Sequence, residues 1–169
     1  FEYSVREKKF KEQGVELLKE YIHFIDGNKP NVLKREKVFE FNIEHINIRG
    51  VIDRIDKTMD GTAIIDYKTS KTTSSAKSNL QLAIYSMYLE QTNEQDISGL
   101  PINASLHFLR EYDNPIRSHT FKKEELLAIQ KKIMAVANGI QQKKFDPIKG
   151  KHCEWCDYKF FACHAWEDL

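Results

Sequence analysis

Apolar residues recur along this chain with two different periods, and the order of those periods lays out its elements. Near the start, Gly14, Leu18, Tyr21, Ile22 and Ile25 repeat at helical spacing. They predict a helix from about Val5 to Asp26, closed by Gly27-Asn28-Lys29-Pro30. A period of two then predicts strands near Val32 to Phe41, Ile43 to Lys57 and Thr62 to Lys68, the second long enough to bend. Asp60-Gly61 between the last two is a hairpin turn signal. Helical spacing returns from about Lys77 to Gln91, and a strand follows near Ile102 to Leu109. An extended stretch, Ile116 to Phe121, pairs with that strand through Tyr112-Asp113-Asn114-Pro115. Leu126, Ile129, Ile133, Val136 and Ile140 mark one face of a last long helix, and Asp146-Pro147 opens a tail. The α-β-β-β-α-β order predicts an α/β core with a central mixed sheet flanked by helices.

Composition narrows this picture modestly. The 169 residues are enough for a sizeable core, so one domain spanning 1–169 is expected, with the tail from 146 to 169 packed on it. No run approaches the roughly twenty apolar residues that span a bilayer and no leader is evident, which predicts an intracellular, cytoplasmic protein with no membrane partner. A formal net charge of +1 does not advertise nucleic-acid binding. Locally, however, Lys68, Lys71 and Lys77, with Thr69, Ser70, Thr72, Thr73, Ser74 and Ser75, form a polar basic loop. It suits phosphate contacts and reads equally well as a solvated loop.

The candidate chemistry lies on the second and third strands. Alternation puts Asp66 and Lys68 on one face about 6.5 Å apart, with Tyr67 on the other. The same rule groups Val51, Asp53 and Ile55 against Ile52, Arg54 and Asp56. Asp53 and Asp66 can therefore meet across an antiparallel pair. Two carboxylates suit magnesium, which keeps several waters, and a lysine beside them suits a nucleophilic water on a phosphodiester. Asp56 beside Arg54 reads as a structural salt bridge. Gln81 and Tyr85, at i and i+4, aim at one spot, although Leu80, Ile84, Met87 and Tyr88 on the same helix also allow Tyr85 to be packing.

All three cysteines, Cys153, Cys156 and Cys163, crowd into the tail as C-x2-C-x6-C. The x2 spacing lets two thiolates grip one metal, as in zinc and iron–sulfur sites. The pattern is one ligand short: His152 or His164 could complete a zinc site, and the odd count argues against a disulfide network.

G-x-x-D-R-x-D at Gly50 to Asp56, D-Y-K-T at Asp66 to Thr69 and Q-x-x-x-Y at Gln81 to Tyr85 together resemble the RecB-like branch of the PD-(D/E)XK nuclease superfamily. The resemblance implies a restriction-endonuclease-like fold and a magnesium- or manganese-dependent deoxyribonuclease. Such domains are fused to or partnered with recombination and repair helicases, or occur in CRISPR-associated exonucleases. It implies metal ligands at Asp53, Asp66 and the Tyr67 carbonyl, a catalytic Lys68, and Gln81 and Tyr85 orienting that lysine and contacting DNA. Glu36 on the first strand would have a supporting role. The tail resembles the iron–sulfur staple of such nucleases, a [4Fe–4S] cluster in the longer parent, with zinc as the alternative. The family also places a histidine and a fourth cysteine upstream of these motifs, so the resemblance implies that this chain is a C-terminal fragment of a longer protein. His23 reads as a surface residue rather than that ligand. The contrasting reading keeps the nuclease fold as a DNA-binding or scaffold module that does not cut.

Overall fold

The computed structural model describes residues 2–27, 29–71 and 73–166; Asn28 of the expected helix stop and Thr72 of the basic loop lie outside them. Contacts divide the chain into two compact units, residues 1–130 and 131–169.

The first unit holds α1 (Glu2–Asp26), β1 (Val32–Ile43), β2 (Ile46–Lys57), β3 (Thr62–Lys68), α2 (Leu80–Gln91), β4 (Asn103–Phe108) and β5 (Ile116–His119). A further helix, α3 (Lys123–Gln141), starts in this unit and runs into the second. The five strands form one mixed sheet in sequence order. β1, β2 and β3 are antiparallel neighbours, β3 and β4 are parallel, and β4 and β5 are antiparallel. The parallel pair needs a crossover, and α2 supplies it. This is the element order expected from the hydrophobic pattern.

Local chemistry explains where elements start and stop. The β2–β3 turn closes through the Thr58 N–H on the Gly61 carbonyl at 2.8 Å, and Gly61 takes a φ of 150° that a side chain would resist. The helix expected from Lys77 begins instead at Leu80, because Asn79 caps it: its Oδ1 accepts the Leu82 N–H at 2.9 Å. β3 lies centrally and buries Ala63, Ile64, Ile65 and Asp66 in succession, the signature of a strand covered on both faces. α2 is buried almost all round, through Leu82, Ala83, Tyr85, Ser86, Met87, Tyr88 and Leu89.

Two apolar stripes are narrower than the spacing suggested. In α1, Gly14, Leu17, Tyr21 and Ile25 are half-buried, whereas Leu18 and Ile22 are exposed. Ile22 sits about 100° around the helix from Tyr21, and Tyr21, bonded to the sheet, fixes which side faces in. In α3, Leu126 and Met134 are buried but Val136 and Ile140 are exposed. Val136 falls about 80° from Leu126 and Ile140 lies in the last turn.

The second unit carries two short 3-10 turns, Lys151–Glu154 and His164–Trp166. The Lys149 and Lys159 ammonium groups each lie 4.5 Å from the Trp166 ring. Among the described residues no helix is long and apolar enough to cross a membrane.

Candidate active site

β2 and β3 pair with Arg54 opposite Ile65. The ladder ends there, and just beyond it come Asp53 on β2 and Asp66 on β3, close enough for the Asp53 charge to act on Asp66. Asp66 is 2% exposed, and its Oδ2 lies 2.6 Å from the Lys68 Nζ. Asp53 is held from the neighbouring strand, its Oδ2 accepting the Tyr67 backbone N–H at 2.8 Å. Lys68 donates a second bond to the Gln81 Oε1 at 2.9 Å. The Gln81 Nε2 donates to the Tyr85 hydroxyl at 2.6 Å, and that hydroxyl donates to the Val51 carbonyl at 2.6 Å. All five side chains expected at the site, Asp53, Asp66, Lys68, Gln81 and Tyr85, are thus brought together at the junction of β2, β3 and α2. Tyr85 is both packing and polar, stacking edge-on against Phe39 while its hydroxyl bonds.

The electrostatics favour a cation between the acids. Burial pushes the Asp66 carboxyl above its ordinary pKa and the Asp53 charge pushes the same way, while Lys68 opposes both. Burial, then Asp66, raises the Tyr85 phenol to about 12, so it stays a donor at neutral pH. The Asp66 Oδ2 is buried and accepts no well-aligned hydrogen bond despite its close lysine. A buried carboxylate oxygen with spare capacity, beside a second carboxylate that repels it, fits a hard divalent ion. Among the described residues no three His, Cys, Asp or Glu side chains converge on one point, so the two carboxylates would hold such an ion with the Tyr67 carbonyl and water completing its shell. Tyr67 contributes its backbone between Asp66 and Lys68. Glu36 lies on β1 beside the Asp53 segment of β2. It is exposed, with a φ of 47°, between Arg35 and Lys37, which pair with Arg54 and Ile52, and its charge reaches Tyr85.

On the reverse face, Arg54 Nε pairs with Asp56 Oδ1 at 3.0 Å, the structural salt bridge expected for them. The Arg54 guanidinium also donates to the hydroxyls of Tyr21 at 2.8 Å and Tyr67 at 2.5 Å, and these phenols bond one another at 2.7 Å. Beside them His107 is buried, its pKa lowered to about 4 by burial and then by Arg54. Sequence reasoning missed this cluster. Tyr21 was visible only as an apolar stripe member, and the available signal for His107 was an imidazole inside the otherwise apolar run of β4.

Outside the centre, His23 is exposed, as expected, and so are Lys71 and Lys77. Thr73, Ser74, Ser75, Arg117 and Ser118 line an open groove beside the basic loop. Cys153, Cys156 and Cys163 are free thiols that, among the described residues, form no ligand group with one another or with His152 and His164.

The model of the PD-(D/E)XK nuclease superfamily matches residues 2–163. The crystal structure of SSO0001 is similar to this chain with a TM-score of 0.50 and 18% identity, over 96% of this chain and 71% of that one. At that identity the likeness is one of fold, and with the family match it makes this sheet and its helices restriction-endonuclease-like. No curated protein matches.

Proposed function

The chain belongs to the PD-(D/E)XK nuclease superfamily, a family of metal-dependent nucleases, and from that premise we propose that it hydrolyses phosphodiester bonds of DNA at Asp53, Asp66 and Lys68. The observation that carries this reading is the placement of Lys68, whose ammonium lies 2.6 Å from Asp66 and 2.9 Å from Gln81. A lysine held by two partners is positioned at the acids while it stays partly open to solvent, where a phosphate could reach it.

Asp53 and Asp66 would hold magnesium or manganese. When bound, such an ion polarises the phosphate and lowers the pKa of its water. The chain's own residues do the rest. Lys68 donates to a phosphate oxygen where negative charge builds in the transition state. Gln81 keeps that ammonium turned inward, and Tyr85 holds Gln81 by bonding it to the β2 backbone at Val51. Asp66 holds the Lys68 ammonium in place through their 2.6 Å ion pair. The RecB-like spacing of the three motifs supports a setting beside a repair or recombination helicase, inside the cell.

The test is cleavage of plasmid and oligonucleotide DNA by the purified protein with magnesium or manganese. Asp53→Ala, Asp66→Ala and Lys68→Ala should each lower the single-turnover rate by roughly a hundredfold or more, the loss expected for a ligand or an electrostatic donor of the reaction. An Asp66→Ala rate within a few-fold of wild type would remove this site from the chemistry.

A further inference from the structure

We propose that the phenols of Tyr67 and Tyr21, locked on Arg54 across the reverse face of the sheet, are positioning residues that hold the two metal-site carboxylates at their working separation. The proposal deepens the nuclease reading and rests on it for the identity of the front-face site.

Two negative groups on adjacent strands repel each other when no cation lies between them. Front-face contacts alone do not oppose this repulsion fully, because Lys68 reaches Asp66 but is not bonded to Asp53. The back face supplies the restraint. Arg54 follows Asp53 in β2, and Tyr67 lies between Asp66 and Lys68 in β3. The bond from Arg54 to the Tyr67 hydroxyl, at 2.5 Å, thus ties together the chain neighbours of the two acids. Side chains alternate along a strand, so a clamp behind the sheet fixes the twist at which Asp53 and Asp66 emerge in front.

The clamp is well built. Arg54 and Asp56 side chains are each only 11% exposed, and their ion pair fixes the far edge of the guanidinium. Tyr21 accepts from Arg54 and bonds Tyr67, which carries the restraint into α1. The Tyr67 ring lies edge-on to Tyr21 at 5.5 Å and tilted against His107 at 5.6 Å, so it has little freedom to swing. On the front, the same residue's N–H holds the Asp53 Oδ2 at 2.8 Å. One residue therefore grips Asp53 through its backbone and the Asp53 strand through its side chain.

Tyr67→Phe and Tyr21→Phe delete the hydroxyls and keep the rings. Manganese affinity is measured by electron paramagnetic resonance on the intact protein, beside single-turnover DNA cleavage, DNA affinity in EDTA and melting temperature. Both variants should bind manganese about five- to tenfold more weakly, the scale of one ordinary lost hydrogen bond, and slow cleavage in step while DNA affinity holds. Wild-type manganese affinity in both variants overturns the proposal. So does a loss of manganese binding that merely follows collapse of the melting temperature in both, since the phenols would then hold the fold rather than the site. If the wild-type protein binds manganese yet cuts no DNA, the nuclease reading fails while the manganese titrations still decide the clamp.

Discussion

Asp66 shows how one residue can serve a site at the expense of the fold. Its carboxyl is nearly inaccessible, with a pKa raised first by burial, so the ionised form needed for chemistry is disfavoured by folding. Asp66→Asn removes the buried charge and the repulsion from Asp53. It leaves Lys68 without its partner, but that ammonium is 29% exposed and still donates to Gln81, so it can recruit water. The variant should melt at the wild-type temperature or slightly above it, within about 1 kcal/mol, while losing cleavage. A melting temperature several degrees lower would identify Asp66 as a structural ion-pair member instead. At this scale the front-face site was legible because charged residues in strand interiors stand out against an apolar background. The reverse-face cluster was not. Tyr21 and Tyr67 resemble ordinary aromatic packing until the fold brings Arg54 between their hydroxyls.

Elements carry the next level of constraint, and Gly50 at the middle of β2 is the clearest case. It pairs with Phe39 of β1, and a Cβ there would lie 2.7 Å from the Phe39 ring tip. Phe39 cannot yield easily: it is 3% exposed, stacked on Tyr88 at 5.0 Å and edge-on to Tyr85 at 5.6 Å. Gly50→Ala should therefore destabilise the protein by about 1–3 kcal/mol, the usual cost of overpacking, and slow cleavage through the displaced Tyr85. Thermal denaturation beside single-turnover rates tests both parts; an unchanged melting temperature would show that Phe39 moves freely. The sequence pattern marked nearly all strands and helices within a few residues, because alternation and helical spacing are local properties. It placed too many residues on the buried stripes of α1 and α3. Which side of a helix faces inward depends on partners such as Arg54 and Tyr67, which lie far away in sequence.

At the scale of the whole molecule, stability should follow pH through His107. This imidazole lies in β4 beneath Tyr21 and Phe24 of α1, with ring centroids 5.4 Å and 5.0 Å away. Burial first, and the Arg54 charge second, lower its pKa from 6.5 to about 4. The unfolded chain therefore binds this proton more readily than the folded one. His107 contributes stability that is fully present above its unfolded pKa of about 6.5 and is lost as pH falls toward 4. Asp56 and Asp66 act in the opposite sense: their folded pKa values are raised, so they contribute stability that is fully present below their unfolded value of 3.8 and is lost as pH rises through the folded values, which offsets the acid end of the His107 slope. Stability should accordingly drop between pH 7 and pH 5 by an amount on the order of 2 kcal/mol after allowing for solvent screening, read as a lower melting temperature, and flatten at lower pH. His107→Phe keeps an aromatic ring against Tyr21 and Phe24 and should remove most of the slope between pH 7 and pH 5. A variant that retains the full slope would assign the acid sensitivity to other groups, and the partnership of Glu94 with Lys37 and Tyr88, which lowers the Glu94 pKa and is lost on protonation, would be the next to examine.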